Sequence, residues 1–300
     1  MTTPATSPPP VLVSLAHRVN QRLPELLPKP DERPEKVHAA MHYAASSPGK
    51  RLRPVLTLVI ANIFGQATEA VLDFACAIEM VHASSLILDD MPMMDDAHLR
   101  RGRETTHRVF GEDVAALAAF GLLNQAYAIF AERALRLKKL DRYTSEDLIH
   151  LLTEAVGSHG LVGGQALDLE GQAEALDLDR LEFIHSHKTG ALFTAAAEVG
   201  AMAVDARRRD LAVVTRYAKN LGLAFQITDD LLDVTATSAE TGKDAHQDTD
   251  KQTFVTLLGV TGAEQLAAEL LGFAVDSLRP LGRRAAPLHA LADYVRTRRR

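Results

Sequence analysis

An apolar helical run that ends in a cluster of aspartates is the feature that most constrains this chain. The stretch Ser84–Arg103 contains Asp89, Asp90, Asp95 and Asp96, and three arginines follow within seven residues of the last of them. Close carboxylates repel one another unless a cation lies among them. Oxygen ligands favour Mg²⁺, which completes its shell with water and substrate phosphate, and arginines can bind the same phosphates. A solvated acidic helix end followed by a basic loop is the alternative.

A second acidic motif follows another apolar run. Phe225–Asp233 contains Asp229, Asp230 and Asp233. Asp229 and Asp233 are four residues apart, so they share a helix face. One such triplet is a weak signal. Two of them, each ending an apolar helix and each followed by basic residues, indicate a pair of carboxylate sites.

The spacing of the first motif predicts a break in its helix. Asp89 and Asp95 lie about 240° apart around a regular helix, so they cannot both face one metal ion. Pro92 lies between them and removes a backbone donor, which gives the helix a physical reason to break there.

Composition and apolar periodicity predict an all-α protein in one domain. The chain is 47% hydrophobic, lacks tryptophan and contains few aromatics, which favours packed helices. Residues 1–10 are expected to form a disordered tail and residues 11–300 the helical domain. The predicted helices are 11–23, one ending at Ala45, one opened by Lys50–Pro54, one capped by Thr68 and reaching about Asp90, 109–137, one capped by Thr144, 178–199, 211–234 and two shorter C-terminal ones, with a break at Gly163–Gly164.

Charge and cysteine content limit the function classes. The net charge of −6, with interspersed basic residues, does not indicate a nucleic-acid surface. Cys76 is the single cysteine, which favours a reducing, cytoplasmic setting. The apolar stretch 114–130 is interrupted by Asn124 and Gln125, so we expect a core helix and no stable membrane insertion.

The motifs resemble those of the all-trans polyprenyl diphosphate synthases, and most of all the bacterial geranylgeranyl diphosphate synthases of carotenoid pathways. The resemblance rests on Ser-Leu-Ile-Leu-Asp-Asp-Met-Pro-x-Met-Asp-Asp-Ala-x-Leu-Arg-Arg-Gly-Arg and on Thr-Gly-Lys-Asp at 241–244, and extends from about Gly49 to Gly259. It implies an isoprenoid-synthase-type helical bundle around a central cavity, usually a homodimer. In this family the two-residue insertion of the first motif marks bacterial farnesyl- and geranylgeranyl-type enzymes.

The resemblance also implies a reaction and a metal. An allylic diphosphate (dimethylallyl, geranyl or farnesyl) ionises, and the double bond of isopentenyl diphosphate attacks the cation in a 1'-4 condensation. Three Mg²⁺ ions would neutralise the leaving diphosphate. Asp89 and Asp95 are expected to bind two of these ions, with Asp90 or Asp96 in support. By the resemblance, Asp229 would bind the third ion, and Asp230 and Asp233 would form hydrogen bonds with its waters.

Further roles follow from the same resemblance. The residues expected to bind the isopentenyl diphosphate are Lys50, Arg53, His82 and Arg101, and those for the allylic diphosphate are Arg100, Lys188, Lys243 and Lys251. Lys188, Thr189 and Gln226 would steady the carbocation, and Gln165 and Asp168 would support them. A solvated helix end is the alternative for Lys50 and Arg53. Without the resemblance, His82 alone would be read as a core histidine with one partner.

Product length is predicted from the helix before Asp89. Ser84 and Ser85 lie one turn back, and Val81 lies on the next turn, followed by Ala77 and Ile78. Family farnesyl synthases of this insertion type often carry an aromatic where Ser84 stands, so a small residue favours the C20 product over C15. A pocket floor supplied by a neighbouring helix, such as that of Phe120, remains an alternative.

Three other functions compete with this interpretation. A catalytically silent prenyltransferase subunit should have lost one aspartate motif, and both are intact. A terpene cyclase has no use for Lys50, Arg53 and the Arg100–Arg101 pair, because it binds no second diphosphate. A helical scaffold protein would bind no diphosphate.

Overall fold

The computed structural model describes residues 8–137, 140–171, 177–235 and 252–298. Within these ranges the chain is almost entirely helical, as predicted. The helices are α1 (Pro10–Glu25), α2 (Glu35–Ala45), α3 (Leu52–Phe64), α4 (Glu69–Asp89), α5 (Thr106–Phe110), α6 (Glu112–Arg136), α7 (Ser145–Val156), α8 (Leu161–Gly171), α9 (Leu178–Lys188), α10 (Gly190–Met202), α11 (Arg208–Thr235), α12 (Phe254–Ser277) and α13 (Ala286–Thr297). A 3₁₀ helix, Arg279–Ala285, joins the last two.

Helix α4 runs through the core. Every residue from Val71 to Val81 is buried, and the helix packs against α3, α6 and α10. Helix α11 packs against α10 and α12. Both acidic motifs therefore end helices that the core holds in place.

Buried ion pairs fix several helices to α4. Asp73 accepts hydrogen bonds from the Nε atoms of Arg22 on α1, at 2.7 Å, and of Arg133 on α6, at 2.6 Å. Glu79 accepts a 2.6 Å bond from Arg51 Nη1, and both side chains are buried. Burying such charges requires paired, hydrogen-bonded geometry, so these contacts determine how α1, α3 and α6 sit on α4.

Local signals predicted several boundaries correctly. Helix α2 ends at Ala45, α4 ends at Asp89 just before Pro92, and Thr144 forms a capping box with Asp147 at the start of α7. Thr68 precedes α4 as predicted, but its side chain makes no capping bond.

Other sequence predictions were wrong. The helix predicted over 178–199 is divided at Thr189 into α9 and α10, and α8 continues through Gly163–Gly164. Pro24 lies inside the last turn of α1. Gly111 separates α5 from α6 within the predicted 109–137 helix. Helix α12 is kinked at Gly259, whose backbone is non-helical (φ 69°), and it is longer than the short helix that we predicted there. A hairpin of two-residue strands, β1 (Leu99–Arg100) and β2 (Arg103–Glu104), also interrupts the all-helical pattern.

Three of the described helices are long and apolar enough to cross a membrane, judged by length and composition alone. They are α4, α6 and α12, and the most apolar windows of these helices are 78%, 39% and 22% buried, respectively. Burial in the core accounts for the apolar character of α4. It accounts for less of that of α6 and α12, which leave apolar surface exposed.

Candidate active site

The first acidic motif forms a loop that closes through its own backbone. Helix α4 ends at Asp89, and the amide of Asp95 returns to the carbonyl of Asp89 at 2.9 Å. The amide of Ala97 likewise binds the carbonyl of Asp90 at 3.2 Å. The predicted break near Pro92 is thus present, and the backbone fixes the spacing between Asp89 and Asp95.

Asp89 lies among charged groups of both signs. Burial raises the pKa of its carboxyl, and Asp95 and Asp168 raise it further, whereas Lys188 and Arg100 act in the opposite direction. A bound cation would relieve this like-charge repulsion. Asp89 therefore has the electrostatics expected of a group that gains from a metal ion.

Asp90 is engaged differently from Asp89. Its Oδ1 accepts a 2.6 Å bond from Arg100 Nε, and burial raises its pKa to about 6 despite that arginine. Asp90 and Arg100 were predicted to face a metal and the allylic diphosphate. In this structure each binds the other, so Asp90 positions Arg100 beside the loop.

In the second motif, Asp230 belongs to a chain of hydrogen bonds. Thr189 Oγ1 donates to Gln226 Oε1 at 3.0 Å, and Gln226 Nε2 donates to Asp230 Oδ1 at 2.9 Å. Asp230 Oδ2 accepts from the amide of Phe254 at 3.1 Å. Burial raises the pKa of Asp230 to about 7. Both its oxygens are used within the fold, so this geometry does not favour its predicted metal role.

Asp229 faces a different environment from Asp230. Its side chain is 33% exposed and pairs with Arg298 Nη1 at 2.8 Å. Its charge also acts on Arg53 and Arg101. The Arg100–Arg101 turn thus lies between the motifs, since Arg100 binds Asp90 and Arg101 lies within electrostatic reach of Asp229.

The basic residues at the start of α3 have two different roles: Arg51 stabilises the fold, whereas Arg53 faces the candidate site. Arg51 has a left-handed backbone (φ 52°), is buried, and binds Glu79, Asn20 and the carbonyls of Ala45 and Ser47. Sequence reasoning missed this role, although Arg51 stands between two residues it selected. Lys50 precedes α3, which begins at Leu52 with Arg51 as its N-cap residue.

Arg53 and His82 lie together on the inner side of this segment. The Arg53 guanidinium is 4.4 Å from the centre of the Phe193 ring, and its buried Nε has no hydrogen-bond partner among the described residues. Burial lowers its pKa to about 10. Burial and the charge of Arg53 hold the pKa of His82 well below its usual value. Arg101 Nη1 binds the carbonyl of Pro48 at 2.8 Å, beside the same segment.

Lys188 ends α9, opposite α8. Its Nζ forms a 2.7 Å bond with Asp168 Oδ2, which gives the predicted supporting residue a direct partner. The α8 backbone comes so close that a Cβ on Gly164 would lie 2.1 Å from the Lys188 nitrogen. Gly164 is therefore a contact point between helices, not the helix breaker that we predicted. Gln165 Nε2 approaches Met94 Sδ at 3.8 Å, so α8 also touches the first motif.

The residues predicted to control product length lie between α4 and α6. Ser84 is buried and its hydroxyl donates to the carbonyl of Ala119 on α6 at 2.8 Å. Val81 is buried one turn earlier, and Ser85 bonds to its own helix at the carbonyl of His82. Phe120 is 70% exposed, so it does not form a pocket floor within this chain.

The donor chemistry of the site fits magnesium. No group of three or more His, Cys, Asp or Glu side chains forms a ready-made metal cluster within the described ranges. Carboxylates on two helix ends, with cations nearby, suit an ion that takes one or two protein oxygens and completes its shell with water and phosphate. Asp89, Asp95, Asp229 and Asp233 are the carboxylates that would hold such an ion. The predicted lysines 243 and 251 lie outside the described residues.

Comparison with known proteins identifies the family. The polyprenyl synthetase family model matches residues 34–272. A dimethylallyltranstransferase of Fischerella ambigua is 43% identical, covering 88% of this chain and 77% of that protein. A chloroplastic geranylgeranyl pyrophosphate synthase of Catharanthus roseus is 38% identical, covering 95% and 79%.

Solved structures agree with these relatives. An FPP/GFPP synthase from Zymomonas mobilis superposes with a TM-score of 0.84 at 35% identity, covering 95% of this chain and 97% of that one. A geranyltransferase from Helicobacter pylori, complexed with magnesium and isoprenyl diphosphate, gives a TM-score of 0.85 at 28% identity, covering 96% and 98%.

A helical bundle that carries two acidic motifs beside separate sets of cations thus defines an isoprenoid-type transferase. The chain belongs to the polyprenyl synthetase family, the all-trans polyprenyl diphosphate synthases. It is a prenyltransferase.

Proposed function

We propose that this enzyme is a Mg²⁺-dependent geranylgeranyl diphosphate synthase, which condenses isopentenyl diphosphate with allylic diphosphates up to a C20 product. The main supporting observation is that two carboxylate motifs end helices beside two different groups of cations. One enzyme that joins two diphosphates needs both groups, whereas a terpene cyclase needs only one.

The residues around Asp89 would hold the allylic diphosphate. Bound Mg²⁺, three ions by family resemblance, would make that diphosphate a good leaving group. Asp89 and Asp95 would bind metal from one side and Asp229 from the other, and Asp233 lies one turn beyond Asp229. Lys188 would contact the same phosphate oxygens after leaving Asp168.

The residues around Arg53 would hold isopentenyl diphosphate without a metal. Arg53, His82 and Arg101 lie together, with Lys50 on the adjoining segment. The depressed pKa of His82 keeps it neutral, so it would act as a hydrogen-bond donor, and the arginines would carry the charge.

The chain Thr189–Gln226–Asp230 would orient dipoles towards the carbocation. Gln226 has both ends of its amide bound, so its orientation is fixed before substrate arrives. Because α9 and α10 are separated at Thr189, the Thr189 carbonyl does not lie within one continuous helix. Pre-arranged dipoles of this kind stabilise charge without reorganisation, and a buried setting excludes water.

Product length would be set on α4. Ser84 leaves the α4–α6 contact free of an aromatic ring, and geranylgeranyl pyrophosphate synthases are among the relatives at 37–40% identity. The solved neighbour from Zymomonas mobilis is an FPP/GFPP synthase, so C15 is the alternative that the product assay must separate from C20.

The first experiment is a product assay. Purified protein, Mg²⁺, isopentenyl diphosphate and one C5, C10 or C15 allylic primer are incubated, and the dephosphorylated alcohols are sized. We expect a dominant C20 alcohol that disappears with EDTA and in Asp89→Ala or Asp229→Ala. A C15 product would contradict the length assignment. No condensation with both motifs intact would support a silent subunit instead.

Substitution of Ser84 tests the pocket. Ser84→Phe should shift the main product from C20 to C15, because the ring would fill space between α4 and α6. Ser84→Ala is the matched control, since it removes the bond to Ala119 without adding bulk, and should keep C20. An unchanged product in Ser84→Phe would place the floor elsewhere.

The α6 surface supports a homodimer. No charged residue occurs from Val114 to Ala131, yet Leu117 and Phe120 are 56% and 70% exposed. An apolar face of this kind on a soluble enzyme requires cover. We expect a second copy to supply it, as the family resemblance implies. We expect a cytoplasmic enzyme because its one cysteine is free and buried.

A further inference from the structure

Arg298 has an unusual position for a residue near the end of a chain. It follows α13, and its side chain is only 1% exposed. Its guanidinium lies 3.9 Å from the centre of the Phe225 ring, and Nη2 donates to the Phe225 carbonyl at 2.8 Å. Its amide binds the carbonyl of Tyr294 at 3.0 Å. The other arginine of this turn, Arg296, is exposed and pairs with Asp293 on its own helix.

The charge of Arg298 points at the second acidic motif. Nη1 lies 2.8 Å from Asp229 Oδ1, whereas Nε and Nη1 have no well-aligned hydrogen-bond partner among the described residues. The contact with Asp229 is therefore an ion pair at short distance without ideal donor geometry. A buried guanidinium normally satisfies its donors, so this arrangement is held by charge and by the ring of Phe225.

Asp229 cannot serve Arg298 and a metal ion equally well. The guanidinium lies 2.8 Å from Asp229 Oδ1, so it takes up space that a metal ion at this oxygen would need, and its positive charge repels a divalent cation.

We propose that Arg298 is a resident counter-cation of the second acidic motif, which holds Asp229 in the metal-free protein and releases it when metal and diphosphate bind. The inference rests on the proposed metal role of Asp229. We call the end of α13 with Arg298 the latch. Metal binding at Asp229 must loosen the contact of Arg298 with Asp229, and loss of the Arg298 side chain must strengthen metal binding.

The test uses inorganic pyrophosphate as the diphosphate, titrated with Mg²⁺ and followed by calorimetry. In Arg298→Gln we expect the Mg²⁺ midpoint to fall by about fivefold, the scale of a modest coupling between sites. The matched control Arg296→Gln, two residues away and exposed, should titrate like the wild type. A raised midpoint in Arg298→Gln would overturn the proposal, because it would show that Arg298 assists binding.

A second readout covers the possibility that Arg298→Gln weakens the fold. In the wild type, hydrogen–deuterium exchange at residues 294–298 should increase when Mg²⁺ and pyrophosphate are added together, and unchanged or slower exchange would contradict the latch.

In an Asp229→Asn background, Arg298→Gln should no longer change the melting temperature; an undiminished effect would show that Arg298 only packs on Phe225. Absence of any Mg²⁺–pyrophosphate binding by the wild type would instead count against the proposed function.

Discussion

The buried imidazole of His185 makes the stability of the folded protein depend on pH. It is buried on α9, its ring centre is 5.5 Å from that of Phe254, and its Nδ1 has no hydrogen-bond partner among the described residues. Burial, together with the charge of Lys188, lowers its pKa to about 4, although Asp168 acts in the opposite direction.

This pKa predicts a loss of stability in acid. Between about pH 4 and 6.5 the unfolded chain binds a proton at this position and the folded chain does not. The stability present at pH 7 therefore falls as the pH falls, by about 2 kcal/mol between pH 7 and pH 5. Urea unfolding at both pH values should show a smaller loss in His185→Gln than in the wild type, whereas the exposed control His150→Gln should match the wild type. Equal losses in all three would contradict the assignment.

Residue roles were predictable only where the chemistry itself was local. The carboxylates of both motifs were evident from sequence because they cluster. The division between Arg51 and Arg53 was not, since it depends on the left-handed backbone of Arg51 and on Glu79, which lies 28 residues away. Arg298 lies in a basic stretch of the sequence, and no signal there distinguishes it from Arg296.

At the scale of elements, α8 is positioned by one glycine. Gly164 lets its backbone meet the end of α9, and a Cβ there would lie 2.7 Å from the Lys188 Cα as well as 2.1 Å from its nitrogen. Both neighbours are backbone atoms, which cannot move aside as a flexible side chain would.

Gly164→Ala should therefore separate α8 from α9. We expect a loss of about 1–3 kcal/mol in the free energy of unfolding, as for other overpacked sites, and a lower kcat because the Lys188–Asp168 pair is displaced. Gly272→Ala is the control: it lies in α12 with nothing within 4 Å of an added Cβ, and should be neutral or stabilising because alanine favours helix. Wild-type stability in Gly164→Ala would show that the contact yields easily.

Helix boundaries were predictable where a local residue causes them and were missed where a tertiary contact does. The break near Pro92 and the cap at Thr144 were predicted because one residue causes each. The break at Thr189 was missed because its neighbours are ordinary helix formers apart from Gly190. The glycines at 163–164 were misjudged because each lies against backbone, Gly164 against Lys188 at the end of α9 and Gly163 against the Ser158 carbonyl. Helix propensity contains no information on such contacts.

At the scale of the whole molecule, the exposed face of α6 predicts association. Replacing Phe120 with glutamate places a charge in the centre of an apolar surface, and should convert the proposed homodimer to monomer in sedimentation analysis. Val162→Glu is the matched control, since Val162 is an isolated exposed apolar residue on α8, and it should stay dimeric. A wild type that sediments as a monomer would contradict the homodimer.

The all-α architecture was predictable because apolar periodicity persists along the chain. The packing of the helices was not, because it depends on contacts between distant residues, as in the buried set of Arg22, Asp73 and Arg133.

The loop of the first motif has a consequence for variation. Backbone hydrogen bonds from Asp95 to Asp89 and from Ala97 to Asp90 hold the shape of the loop. The side chain of Met93, at the tip of the loop, is 67% exposed. Homologous chains can therefore change the tip residue without disturbing the carboxylates on either side. For enzyme engineering, position 93 is therefore a suitable place to attach a label or to introduce a new contact.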